Sequence, residues 1–205
     1  MTKYFDNLEI RDAKARERAL MRQLPRFLVE VAGSIPAWKK RLGKIDLTSI
    51  KSRSALAQIP VLRKPELMEA QTRRPPLGGF ANPELLQGTR YFMSPGPIWE
   101  PQAAGLDPWG GGRAFYAAGI GAGDLVHAAI SFHMTPGGFI LDAGARAAGA
   151  SVFPAGVGNT EQQIEAAAAI KATAYAGTPD YLKVMLDKAN EMGIDLSKIK
   201  KAVVS

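Results

Sequence analysis

The sequence predicts an α/β protein: a helical N-terminal segment followed by a βαβαβαβ parallel sheet. From Asp124 onward, short apolar runs alternate with helical stretches at crossover spacing, the pattern of right-handed βαβ units. Each run is short and apolar throughout, as strands covered on both faces are. The first seventy residues carry their apolar positions at helical spacing and read as local helices. The expected organisation is a helical segment over 1–71, a loop-rich connection over 72–123 and the parallel α/β subdomain over 124–205.

Residues 10–32 predict an amphipathic helix, with Leu20, Leu24, Phe27, Leu28 and Val31 as its apolar stripe. Pro25 predicts a kink or a division of that helix. Pro36 opens a short helix through Lys40, and Gly43 suits its C-terminal cap. Ser52 caps a turn through Ala57, and Arg63–Gln71 is a further short helix. The run Arg73-Arg74-Pro75-Pro76-Leu77-Gly78-Gly79 reads as a linker. Tyr91-Phe92-Met93 is a short apolar stretch, and Ser94–Pro101 is too rich in proline for a central strand. A helix signal at Asp107 or Pro108 meets Gly110-Gly111-Gly112, which moves the expected start towards Arg113.

The α/β part then reads as strand 125–131, helix 136–148, strand 150–153, helix 160–170, strand 173–176, helix 178–191 and strand 201–204. Thr160 is read as a cap with Gln163 at the capping-box position. Thr178 caps the last helix, Pro179 takes its first position and Gly193 stops it. The last strand ends the sequence, so the loop that would follow it at the ligand-facing edge is expected to lie outside these 205 residues, with part of the site.

The net charge of +7 is carried wholly by residues 1–124, which hold 19 Lys and Arg against 12 Asp and Glu. A basic face suits nucleic acid or an anionic cofactor. The basic residues are dispersed and not interleaved with aromatics, which reads as a solvated helical surface rather than a nucleic-acid reader. The chain has no cysteine, which fits a cytoplasmic protein and leaves out thiolate chemistry. The N-terminus lacks the apolar core of a signal peptide, and no run approaches the length of a membrane span.

Several motifs are absent: there is no G-x-x-x-x-G-K-[ST] and no G-x-S-x-G. With two histidines and no cysteine, no metal site is expected. Gly119-Ile120-Gly121-Ala122-Gly123-Asp124 follows a helix and precedes a strand, the reverse of a dinucleotide-binding turn, and reads as a helix stop. His133 lies in Ser131-Phe132-His133-Met134-Thr135-Pro136-Gly137-Gly138, between a strand end and a helix start. That is the edge at which open α/β sheets bind ligands, though a capping or packing role fits the same position. Gly177-Thr178-Pro179 occupies the same edge, where ordinary helix-start chemistry also accounts for Thr178 and Pro179. Gly156–Thr160 forms a third edge loop.

These segments, Asp124-Leu125-Val126, Ser131–Gly138, Phe153-Pro154-Ala155-Gly156, Thr160–Gln163 and Ala176–Leu182, resemble in order and spacing the N-terminal domain of phenylacetate–CoA ligase-like enzymes. These are adenylate-forming acyl- and aryl-CoA ligases. The resemblance extends over essentially the whole chain but only about the first half of a full member. It implies an incomplete part of the adenylate-forming N-terminal domain, a carboxylic acid substrate, a setting in aromatic acid catabolism, and ATP, Mg²⁺ and CoA as cofactors. It places His133, Gly137, Gly177, Thr178 and Pro179 at the acyl pocket, and Ser94 and Gly96 where the family carries its phosphate loop. That loop usually reads approximately Ser-Ser-Gly-Thr-Thr-Gly with a lysine nearby; here prolines without N–H donors replace much of it. The adenine loop, hinge and C-terminal domain of the family are not in these residues.

Two roles remain open from sequence. The chain reads as part of an acid–CoA ligase, incomplete or inactive alone, whether encoded short, cut short or completed by another polypeptide, or as a non-catalytic binding or partner module. An exposed strand edge at Lys201–Ser205 predicts self-association.

Overall fold

The computed structural model of the chain describes residues 3–205. They form two compact units, one of residues 7–103 and one of Ala104–Ser205 with the N-terminal residues to Asp6.

The 7–103 unit contains helices α1 (Ala13–Ser34), α2 (Pro36–Leu42), α3 (Arg53–Leu56) and α4 (Lys64–Arg73), then strands β1 (Tyr91–Ser94) and β2 (Ile98–Pro101). Asp12 caps α1 by accepting from the Ala15 amide at 3.0 Å. Of the kink or division expected at Pro25, the division does not occur: α1 runs unbroken for 22 residues. The proline removes one backbone hydrogen bond, and packing on either side offsets it. Leu24 and Leu28 both join the cluster of Leu42, Leu47 and Ile50. The expected stripe is only half used, since Leu20 and Phe27 are 46% and 59% exposed. Gly43 ends α2 with φ −63°, not in the left-handed form. Ser52 caps α3 as expected, accepting from the Ala55 amide at 3.1 Å.

The Ser94–Pro101 stretch is more regular than expected. β1 and β2 pair antiparallel, Tyr91 opposite Pro101 and Ser94 opposite Ile98, so Pro95-Gly96-Pro97 is the turn of a hairpin. An isolated two-stranded ribbon tolerates prolines that a central strand would not. Buried Gln71 fastens it to α4: its amide donates to the Trp99 carbonyl at 2.8 Å and its oxygen accepts from the Trp99 N–H at 2.9 Å.

The second unit contains α5 (Gly112–Ala117), β3 (Leu125–Ala129), α6 (Gly137–Ala147), β4 (Ser151–Phe153), α7 (Thr160–Ala169), β5 (Ala174–Gly177), α8 (Pro179–Met192) and β6 (Lys201–Val204). The glycine run does delay α5: the Asp107 carboxylate accepts from the Gly111 and Gly112 amides, both at 2.8 Å. Those glycines also allow α5 to lie directly on α6. A Cβ on Gly111 would stand 3.1 Å from the Gly144 Cα, and one on Gly144 would stand 3.0 Å from the Gly111 carbonyl carbon.

The four long-range strands form one parallel sheet in the order β4-β3-β5-β6. Val126 and His127 pair with Ala174 and Tyr175, which pair in turn with Lys201 and Ala202. Strand alternation divides the core. Val126, Ala174 and Ala176 pack with Phe115, Leu141 and Ala145 of α5 and α6. Ala129 and Tyr175 pack with Ile164, Ala167, Met185 and Ala189 of α7 and α8. At the N-terminal ends of the strands, buried Asp124 accepts from Lys201 at 2.8 Å, from the Thr173 hydroxyl at 2.9 Å and from the Gly121 amide at 2.9 Å. One carboxylate thus ties the starts of β3, β5 and β6 together. Among the described residues no helix is long and apolar enough to cross a membrane.

Candidate ligand-binding edge

The strand order locates a crevice. From β3 the chain crosses through α6 to β4 on one side; from β5, on the other side of β3, it crosses through α8 to β6. Because α6 and α8 cover opposite faces, the loops leaving β3 and β5 diverge. The gap above the carboxyl ends of these two neighbouring strands is the switch point at which open α/β sheets take ligands. The two loops are Ile130–Pro136 and the short Gly177–Thr178 connection. His133, Gly137, Gly177, Thr178 and Pro179 all lie on them or at the helix starts they feed.

The β3–α6 loop has a defined shape. The Ser131 carbonyl accepts from the Gly138 amide at 2.9 Å, and the Ser131 hydroxyl accepts from the His133 amide at 3.2 Å. The His133 carbonyl accepts from the Thr135 amide at 2.7 Å. Met134 is held at φ 61°, a left-handed conformation rare for a residue with a long side chain. Its side chain is exposed, and so is the His133 imidazole. Phe132 turns inward instead and stacks edge-on against Phe139 at 5.3 Å. It occupies the space over Gly138, where a Cβ would come within 2.5 Å of the ring. Gly138 is therefore the glycine the loop requires; a Cβ on Gly137 would make only ordinary contacts, with the Ile130 side chain at 3.5 Å and the Ser131 carbonyl oxygen at 3.9 Å.

The β5–α8 connection is governed by Tyr175. Its hydroxyl reaches past Gly177 to donate to the Thr178 carbonyl at 2.9 Å. A Cβ on Gly177 would fall 2.5 Å from that hydroxyl and 2.6 Å from the Ala129 carbonyl oxygen. Burial pushes the Tyr175 phenol up to about 12, with a smaller upward contribution from Tyr181, so it stays protonated at neutral pH. Thr178 caps α8, its hydroxyl oxygen accepting from the Tyr181 amide at 3.4 Å. Thr178 and Pro179 are exposed at the crevice.

The third loop, between β4 and α7, differs from expectation at its helix start, where Thr160 is the first helical residue and not the cap. Gln163 does not form a capping box; Asn159 holds the cap position at φ 49° and makes no side-chain cap bond. The Gln163 side chain is buried and bonded to His127 and to the carbonyls of Gly158 and Gly156. This pair had no local signal: 36 residues separate the partners, and only the parallel sheet brings them together. A groove of about 740 Å³ with Asn159, Glu165, Val184 and Lys188 in its lining lies on the outer side of α7 and α8. It includes none of the crevice residues; strand topology, not groove size, carries the assignment of the edge.

Ser94 and Gly96 lie on the hairpin of the other unit. The Ser94 hydroxyl donates to the Glu100 carboxylate at 2.5 Å. Of the turn residues Pro95, Gly96 and Pro97, only Gly96 has an N–H to offer. A committed hydroxyl, one amide and an adjacent carboxylate do not fit a polyphosphate. Among the described residues no group of three or more His, Asp or Glu side chains is placed to hold a metal ion.

Helices on both faces of a parallel sheet, with a switch-point crevice, define an open α/β protein whose fold is that of part of an acyl-CoA ligase. In a thioesterification-state structure of 2-hydroxyisobutyryl-CoA ligase with 2-HIB-AMP and CoA, the likeness covers 89% of this chain and 41% of that one, with a TM-score of 0.77 and 22% identity. An open conformation of the same ligase gives a TM-score of 0.78 at 23% identity over 89% of this chain and 42% of that one. No protein-family model matches the chain. In sequence it is a distant relative of the phenylacetate-coenzyme A ligases. It is 33% identical to that of Aromatoleum evansii over 153 residues, 71% of this chain and 34% of the relative. Identity to the Pseudomonas putida enzyme is 26%, over 95% of this chain and 45% of the relative. The chain thus spans between about a third and less than half the length of these relatives.

Proposed function

We propose that the crevice above β3 and β5 receives the carboxylic acid of an acid–CoA ligase, and that this chain supplies that wall of the enzyme. The observation that carries the reading is a coincidence of two independent facts. Two of the five segments that resemble the ligases, Ser131–Gly138 and Ala176–Leu182, meet at the topological switch point. In such ligases the acid attacks the α-phosphate of ATP to form an acyl-adenylate and release pyrophosphate, and the CoA thiol then displaces AMP. Here His133 and the Thr178 hydroxyl would offer polar contacts to the acid. Gly177 would keep one wall free of side chain, with Gly137 and Pro179 at the margins.

Calorimetric titration of the chain with phenylacetate, then with ATP–Mg²⁺, tests this. Saturable binding of the acid, weakened about tenfold by His133→Ala, is expected for one lost hydrogen bond of roughly 1.4 kcal/mol. Because His133 is exposed, the same substitution should leave the unfolding midpoint unchanged. Binding of phenylacetate that is indifferent to both His133→Ala and Thr178→Ala would remove the crevice as its site.

A second reading, a binding module without turnover, is favoured by the Ser94–Glu100 pair and the prolines of the hairpin turn. It predicts acid binding with no ATP–pyrophosphate exchange. Robust exchange by the chain alone would exclude it.

A further inference from the structure

Two buried polar side chains of the sheet, His127 and Gln163, take no part in the Asp124 clamp or in the contacts proposed for the acid. The Gln163 side-chain nitrogen donates to the Gly158 carbonyl at 2.7 Å and, longer, to the Gly156 carbonyl at 3.4 Å. Two carbonyls at one end of the carboxamide require that end to be the donor. The end that faces His127 Nε2 at 3.0 Å is then the oxygen, an acceptor. It follows that His127 carries its proton on Nε2 and leaves Nδ1 as a bare acceptor. The residue is wholly buried, and Nδ1 meets no hydrogen-bond partner among the described residues. A lone pair is the less costly group to leave unpaired; a buried N–H without an acceptor is rarer in folded proteins. The imidazole is thus confined to one tautomer.

Its surroundings hold it neutral. Phe153 of β4 lies beside the ring at 5.6 Å, and Tyr175 of β5 stands in register. Gln163 faces it from α7, and Tyr175 is itself un-ionised below about pH 12. Burial pushes the imidazole below its ordinary value of 6.5, against a smaller upward pull from the Gln163 bond, and no charged side chain contributes.

The loop this pair holds has little structure of its own. Gly156, Gly158 and Asn159 all have positive φ. Beyond Gln163, it is fastened by the Gly156 amide on the Ala128 carbonyl at 3.1 Å and by Tyr181, whose hydroxyl donates towards the Gly158 carbonyl at 3.4 Å.

We propose that His127 is a positioning residue: acting through Gln163, it fastens the carbonyls of Gly156 and Gly158 and so fixes the β4–α7 loop as the third wall of the ligand-binding edge. Its consequence for binding rests on the acid-pocket reading given above; the fastening itself does not.

The test is amide hydrogen exchange and phenylacetate titration on the full chain, unaltered and as the double variant His127→Phe with Gln163→Leu. Replacing both partners by apolar groups leaves no buried polar atom of the pair unpaired, so the variant is expected to fold. The Gly156 amide should exchange at least tenfold faster, with protection in β3 and β5 retained, and the phenylacetate Kd should rise about five- to tenfold. An unchanged rate at Gly156, or a rise shared equally by β3, β5 and α7, overturns the proposal, because a general structural role would loosen the whole sheet. A nitrogen spectrum of the unaltered protein showing the proton on Nδ1 also overturns it. If the unaltered chain binds no phenylacetate, the acid-pocket reading fails, while the exchange rates still decide the fastening.

Discussion

At the scale of single residues, the glycines of the edge differ in what they tolerate. A methyl group on Gly177 would meet backbone oxygen as well as the Tyr175 hydroxyl, and backbone cannot step aside. Gly177→Ala is expected to cost about 2–3 kcal/mol, the upper range for overpacking, read as a lower urea midpoint. Gly137→Ala, with ordinary contacts around the added carbon, should stay within roughly 0.5–1 kcal/mol of the unaltered chain. Sequence alone could not rank these two, since both are glycines beside a helix start. The Ala129 carbonyl that leaves no room at Gly177 comes from the neighbouring strand β3 and is supplied by the tertiary fold.

At the scale of elements, the sheet is pinned at its N-terminal end by Asp124 and braced on its α7–α8 side by His127. Removing one partner of a buried ion pair costs most because the other charge is left behind. Lys201 is about one-third exposed, so Lys201→Met should cost about 2–3 kcal/mol, below the usual 3–5 for a fully buried pair. The two groups also predict the acid limb of the stability curve. Burial of the Asp124 carboxyl works upward, but Lys201, the Gly121 amide and the Thr173 hydroxyl together outweigh it and hold the group below its ordinary 3.8. Its contribution is therefore complete above pH 3.8 and is lost as pH falls through its lower folded value. His127 acts earlier. The unfolded imidazole takes up a proton near pH 6.5 while the folded one resists, so stability should decline as pH falls below about 6.5. Denaturant titrations from pH 8 to pH 5 should show that decline in the unaltered chain and a flatter profile in the His127→Phe, Gln163→Leu variant. A decline of equal size in both would assign it to other groups.

At the scale of the whole molecule, the excess positive charge within residues 1–124 has a testable bearing on partners. A dispersed basic surface predicts oligonucleotide retention that is weak and abolished by moderate salt. Retention that persists in 0.3 M salt would instead indicate a dedicated nucleic-acid site. The outer edge strand β6, with Val204 about half exposed, predicts concentration-dependent association by sedimentation. Lys201 faces the clamp rather than guarding that edge.

The sequence by itself determined the α/β class, the parallel sheet, the start and stop of α8 and the extent of β6. Each of these rests on local chemistry: apolar runs, a threonine cap, a proline at the first helical position, a glycine stop at φ 67°. It also placed the Ser131–Gly138 and Gly177–Pro179 loops at the sheet's carboxyl edge, because a helical crossover between successive strands brings each back pointing the same way. The tertiary structure alone decided that β3 and β5 are neighbours, which turns two loops distant in sequence into one crevice. It likewise decided that Pro25 sits inside an unbroken helix, that Ser94 is answered by Glu100 in a hairpin, and that Gln163 turns inward to His127 instead of capping α7. In each of these cases the deciding partner lies outside the local pattern from which the sequence is read, and packing against that partner outweighs the local preference.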